Sequence, residues 1–118
     1  MSSRVPKHNF YLVFAPDVPN SREARERHLP AHMERVQQLS QSGLLRLGGG
    51  VLPPDVKATD PDAADKLRGG FIIVKAESIE AVWKIVKEDI LYTSGEVWDR
   101  ERITVESLYI AMPEAKFD

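Results

Sequence analysis

An α+β fold with the element order β-α-β-β-α-β is what this sequence predicts, and three observations predict it. Two short runs rich in β-branched and aromatic residues, Phe10–Ala15 and Gly70–Ala76, each lead into a stretch of helical apolar spacing. A third apolar run, Leu44 through a glycine triplet to Leu52, follows the first helix, and a fourth closes the pattern near Ile103 to Ala111. The length, 118 residues, suits one compact domain with a core of its own. That order is the split βαβ arrangement of ferredoxin-like type, a four-stranded antiparallel sheet with two helices on one face. A single domain over residues 1–118 is expected, with its core at about 9–112 and flexible ends.

Taken in order, Phe10–Ala15 is apolar throughout and stops at Pro16-Asp17, which predicts a strand buried on both faces. Asn20, with Glu23 three residues later, has the pattern of a capping box and marks a helix start. Leu29, Met33, Val36 and Leu39 give that helix its apolar stripe, and Gly43 is placed to end it. Pro30 lies inside the stripe, removes one backbone hydrogen bond and crowds the preceding turn, so a kink or break near His28-Leu29 is expected. Leu44–Leu47 continues through Gly48-Gly49-Gly50 as the second strand, and Pro53 to Lys66 reads as a long exposed loop. Ser78 caps the second helix, whose inner stripe is Ile79, Val82, Trp83 and Val86. That helix is expected to end close to Asp89, with irregular chain through Gly95 before the last strand.

Composition narrows the function classes. A net charge of −2 gives no electrostatic reason to expect nucleic acid or an anionic membrane surface. The absence of cysteine excludes a disulfide scaffold and thiolate chemistry, and it suits a reducing compartment. No run approaches a membrane span and the first residues have no signal-peptide core, so the expected location is cytoplasmic. The glycine triplet is followed by Val51-Leu52-Pro53-Pro54 and no helix start, so it reads as a bulge or a point of close approach rather than a phosphate loop.

Some pieces stand out by their order. Tyr11–Asp17 is a strand running into an aspartate. Arg25 is followed seven residues later by His32 within Pro30-Ala31-His32-Met33. Gly43-Leu44-Leu45 leads into Leu47-Gly48-Gly49-Gly50, Gly69–Val74 precedes the helix start at Glu77-Ser78, and Asp89 follows that helix. Together they resemble the YCII-related family of the dimeric α+β barrel superfamily, over nearly everything from Tyr11 to Ile110. One departure is that many relatives carry proline directly after the aspartate matching Asp89, where this chain has Ile90 and Leu91. The resemblance implies a homodimer with sheets packed face to face, and in each protomer a small-molecule pocket lined by His32 and Asp89.

His32 falls at the margin of the first helix's stripe, where a histidine can reach a cleft while its helix stays anchored. Were Asp89 to approach one ring nitrogen, the other would be free as acid or base. The bland alternative is a hydrogen bond that merely pins two helices together. Arg25 shares the His32 side of an unbroken helix and suits an anionic substrate group. Its alternative is a surface ion pair with Glu23, Glu26 or Glu34. His28 and His32 have the spacing of a metal pair, but Pro30 intervenes and no third ligand is obvious, so no metal is expected. Of Tyr92 and Trp98, in the irregular segment near Asp89, one is expected on the pocket wall, with dimer contact as the alternative. Both join Tyr11 and Gly49 in the expected substrate-binding set.

The expected function is that of a small enzyme without cofactor, moving a proton on a small cyclic or lactone-type metabolite by isomerisation or elimination. His32 would be base or acid, Asp89 its orienting partner and Arg25 the anion-stabilising group. The resemblance supplies that substrate class. The alternatives are a small-molecule binding or sensing dimer and a purely structural dimer.

Overall fold

Strand β1, Phe10–Pro16, is the centre of the fold in a computed structural model that describes residues 5–114, 116 and 117. The flexible ends expected of the chain fall partly on residues 1–4, 115 and 118, outside the described residues. β1 pairs antiparallel with both β3 (Gly69–Lys75) and β4 (Thr104–Leu108), while β2 (Leu45–Val51) pairs with β3. The sheet order is therefore β2-β3-β1-β4, and with its helices on one face it is a ferredoxin-like α+β fold.

Burial along β1 corrects one expectation. Tyr11, Val13 and Ala15 are buried, but Phe10, Leu12 and Phe14 are only half-buried. The pleat sends alternate side chains to opposite faces, and within one chain the helices cover only one of them. The covered face holds a core of Val13, Val74, Val82, Val86, Leu91 and Val97, each no more than 2% exposed.

Helix α1 spans Arg22–Gln41 as one unbroken element, so Pro30 does not split it. Proline at this position lacks the N–H that would reach the Glu26 carbonyl, yet the turns on either side carry the helix across. Ser21, not Asn20, is the N-cap, and no side chain caps the helix; Asn20 instead takes a left-handed φ of 60° in the turn before it. The far end follows expectation. Gly43, at φ 84°, lets its N–H reach the Ser40 carbonyl at 3.1 Å while Leu44 N–H reaches Leu39 at 3.1 Å, a Schellman closure.

Helix α2 spans Ile79–Lys87, with the Ser78 hydroxyl accepting from Ala81 N–H at 3.2 Å. Val82 and Val86 are buried as its stripe predicts, but Ile79, in the first turn, is 41% exposed. The stretch expected to be irregular contains a short helix α3, Ile90–Thr93, and the loop of residues 53–66 ends in a single turn at Ala63–Lys66 with Ala63 buried. No described helix is long and apolar enough to cross a membrane.

Candidate functional site

None of the residues of α1 is fully buried. The helix roofs the sheet at a distance, and the space beneath is a cavity of about 280 Å³. Arg25, Leu29, His32, Met33 and Val36 line it from α1, at spacings of three and four residues that only an unbroken helix keeps on one side. The floor is β-sheet: Val13 and Ala15 of β1, Gly48–Gly50 of β2 and Gly70–Ile72 of β3. Leu29 and Met33, 41% and 43% exposed, border it on the solvent side.

His32 meets Asp89 across this space. The ring Nδ1 lies 3.0 Å and 2.9 Å from the two carboxylate oxygens. Asp89 is also the N-cap of α3, where the same carboxylate accepts from Leu91 N–H at 2.9 Å. A carboxylate beside Nδ1 fixes the tautomer with the proton on Nδ1, which leaves the lone pair on Nε2. Nε2 makes no hydrogen bond among the described residues. The ring is further held edge-on against the Trp98 indole, with centroids 6.1 Å apart and planes at 84°. The pair is largely shielded from solvent, at 17% and 8% side-chain exposure.

Arg25 also lines the cavity, but its ion-pair partner is not one of the helix glutamates. Its Nε donates to Asp17 Oδ2 at 3.0 Å and its Nη2 reaches both carboxylate oxygens, a fork-on-fork contact between two largely buried groups. Nη1 stays outside that pair. Glu26 bonds Arg22 instead, at 3.3 Å. Asp17 was missed as a site residue, although its place at the end of β1, ahead of Arg25, was the available signal. Backbone bonds fix its neighbourhood: Asp17 bridges to Trp98, Val18 N–H reaches the Val97 carbonyl at 2.8 Å, and Asp99 N–H reaches Pro16 at 2.8 Å.

Trp98 lines the cavity and is 7% exposed; its indole Nε1 is buried and has no hydrogen-bond partner among the described residues. Gly49 contributes bare backbone to the lining, and a Cβ there would stand 3.1 Å from the Phe71 ring. At Gly50 a Cβ would overlap the Leu67 methyl groups, so that side chain would have to move. The β2 irregularity lies just before the glycines, between Leu45 and Leu47.

Two residues of the expected substrate-binding set are not among those lining this cavity. Tyr11 shares the covered face with Val13 and Ala15, but it sits farther along β1 in the closed core, opposite Val74 and Ser107. Tyr92 follows the buried Leu91 in α3, so the helical turn carries it to another side. There the Arg100 guanidinium covers its ring at 4.9 Å and bonds its carbonyl at 2.9 Å. His28 is not paired with His32. Its Nε2 lies 2.9 Å from Glu96, which also accepts from Arg27 at 2.7 Å. The His28 hydrogen bond first, and the Arg27 guanidinium second, hold the Glu96 carboxyl below its ordinary pKa. Among the described residues, no three His, Asp or Glu side chains cluster as metal ligands would.

Comparison with known proteins agrees with this architecture. The family model described as the YCII-related domain matches residues 9–105. Protein YciI of Escherichia coli O6:H1 is 38% identical over 85 residues, covering 72% of this chain and 84% of that protein. Fusaric acid biosynthesis protein 2 of Gibberella moniliformis is 32% identical over 95 residues, covering 80% and 88%. Among solved structures, the 5-chloro-2-hydroxyhydroquinone dehydrochlorinase TftG of Burkholderia phenoliruptrix AC1100, in complex with 2,5-dihydroxybenzoquinone, superposes with a TM-score of 0.68. It is 26% identical, with 82% of this chain and 90% of that chain covered.

Proposed function

The chain belongs to the YCII-related family, and on that premise we propose that it is an enzyme that needs no cofactor and moves a proton on a small cyclic or lactone-type substrate. Elimination of a leaving group is the favoured reaction, with isomerisation as its close variant. One observation carries the reading: in a mostly aliphatic cavity, His32 Nδ1 lies 2.9 Å from the Asp89 carboxylate while Nε2 makes no hydrogen bond among the described residues. The dehydrochlorinase neighbour supports lyase-like chemistry in this fold.

In the proposed step, the Nε2 lone pair takes a proton from the substrate. The electron pair of the broken bond forms a new π bond, and the leaving group departs with its own bonding pair. Asp89 stabilises the imidazolium so formed, and the proton then returns to solvent or to the product. In an isomerisation no group leaves, and the imidazolium returns the proton at another carbon. Charge that builds on a substrate oxygen is within the province of Arg25, whose Nη1 is outside the Asp17 pair. General-base catalysis of this kind is worth about 10²- to 10⁴-fold.

The same proposal makes the protein a cytoplasmic homodimer of one domain per chain, with no nucleic-acid or membrane partner. The uncovered sheet face supports the dimer: Phe10, Leu12, Phe14, Ile73 and Leu108 are half-buried there and share it by register.

One observation favours a competing reading. Asp89 also caps α3, so the His32–Asp89 contact would serve equally as a pin between helices. Replacing His32 by Ala separates the two. We expect chloride release from 5-chloro-2-hydroxyhydroquinone to fall at least 100-fold while the melting temperature changes by no more than about 3 °C. A large loss of stability favours the pin. Binding of 2,5-dihydroxybenzoquinone by the unaltered protein without any chloride release would make it a binding module.

A further inference from the structure

We infer that the Trp98 indole N–H is a recognition group for the substrate, and that the cavity accepts small ring compounds carrying a carbonyl, hydroxyl or enolate oxygen next to the atom His32 acts on. This rests on the reading of the cavity as a substrate pocket. An indole nitrogen can only donate, and buried donors in folded proteins are nearly always paired. Of the described side chains, two buried polar atoms have no partner, Arg35 Nε and Trp98 Nε1. Arg35 does not line the cavity and is already bonded through Nη2 to the Ile85 carbonyl at 2.9 Å. Trp98 does line it.

The carboxylates at the cavity are already engaged. Both Asp89 oxygens take the His32 ring and one of them also takes Leu91 N–H. Both Asp17 oxygens take Arg25. The remaining lining residues carry no side-chain acceptor oxygen: beyond Arg25, His32 and Trp98 they are apolar or glycine. Nor is the indole free to swing away. The backbone N–H of Trp98 bonds the Leu91 carbonyl at 3.2 Å, and the flanking Val97 and Asp99 are tied to Val18 and Pro16 at 2.8 Å each. The donor is therefore held ready in a dry site, and its ring touches the His32 ring. An oxygen bound at Nε1 places the remainder of a small ring against His32. A site that holds an unpaired donor discriminates strongly against analogues lacking the matching oxygen.

The chain has two tryptophans, so the indole N–H signals of Trp83 and Trp98 can be followed separately in ¹⁵N-labelled protein. On titration with 2,5-dihydroxybenzoquinone, the Trp98 signal is expected to shift downfield with that of Trp83 in place. Trp98→Phe, which keeps an aromatic ring, is expected to bind the same quinone five- to tenfold more weakly. Quinone binding, shown by perturbed His32 ring signals, with an unmoved Trp98 N–H overturns this inference and leaves the pocket reading intact. No binding at all overturns both. Should the Phe variant fold poorly, the titration of the unaltered protein still decides.

Discussion

Asp89 and His32 are 57 positions apart, yet the carboxylate that holds the imidazole at 2.9 Å is the same one that caps α3. One side chain thus joins the middle of α1 to the junction of α2 and α3, over the cavity. Its two functions make different demands. Capping α3 needs an acceptor oxygen at Leu91 N–H, whereas the proposed role of His32 as base needs an acceptor at Nδ1 and a negative charge to offset the imidazolium.

Asp89→Asn and Asp89→Ala separate those demands. The amide retains an oxygen for Leu91 but can turn its NH₂ group toward Nδ1, which moves the ring proton to Nε2 and removes the base. Turnover is expected to fall by about 10²- to 10⁴-fold with stability nearly kept. Alanine loses the cap as well and is expected to lower unfolding stability by a further ~1 kcal/mol. Steady-state kinetics beside urea denaturation reads both; equal turnover in Asp89→Asn and the unaltered protein would remove Asp89 from the mechanism.

Arg25 and Asp17 form the second largely buried charge pair at the cavity, at 16% and 7% side-chain exposure. Removing one partner strands the other charge in a poorly solvated place. Asp17→Ala is therefore expected to destabilise by about 3 kcal/mol, and Arg25→Lys, which keeps the charge but not the fork, by less. Urea midpoints measure this, and a shift equal to that of an exposed pair would show that the burial is unimportant.

The strands were legible because β-branched and aromatic runs broken by Pro and Gly have few other uses, and Gly43 and Ser78 marked their helix ends by backbone chemistry alone. Pro30 misled, because its local rule weighs one lost hydrogen bond and one clash against an isolated helix. In the fold, α1 is anchored on both sides of that turn, by Arg25 to Asp17 and by His32 to Asp89. Asn20 resembled a cap, but the turn after β1 requires a left-handed residue there and hands the cap to Ser21. The partner of Arg25 lies across the β1–α1 turn and not along the helix, where the glutamates made it expected. The closeness of His32 and Asp89 has no local signature at all; only the order of motifs shared with relatives pointed to it.

Pro30 remains exposed within α1 and leaves the Glu26 carbonyl without its helical donor. Pro30→Ala restores that bond and relieves the ring's crowding of the preceding turn. Stability is expected to rise by about 1–3 kcal/mol, with no matching rise in turnover. Chemical denaturation tests it, and a loss of stability would mean that the proline sets a helix geometry the rest of the fold needs.

Glu96 gives a pH dependence with a definite sign. Its carboxyl is held below its ordinary pKa by the His28 hydrogen bond and then by Arg27. A lowered folded-state value stabilises the fold above the unfolded pKa, and that contribution fades as pH falls through the folded value. Glu96 is exposed, so the effect is small. Melting curves of the unaltered protein and Glu96→Gln are expected to differ slightly at pH 7 and to converge in acid below the usual carboxylate range. Curves that stay parallel down to pH 3 would sink the idea.

The uncovered sheet face supplies the last test. Leu12 stands at its centre, paired by register with Ile73 on one side and Glu106 on the other, and Phe10 and Phe14 flank it along β1. Arg46 and Arg68 lie over the rings of Phe10 and Phe14, at 5.7 Å and 5.1 Å, so part of this apolar surface is shaded at its margins while Leu12 is not. A second copy laid on this face would bury Leu12 near the interface centre, where truncation or charge has its largest effect. Leu12→Glu places a carboxylate there and beside Glu106. Its side chain points away from the cavity, so the monomer is expected to keep its fold. Light scattering after size exclusion is expected to give twice the 13.3 kDa chain mass for the unaltered protein and the single mass for the variant. A monomeric unaltered protein, or an undiminished dimer in Leu12→Glu, would place the interface elsewhere or nowhere.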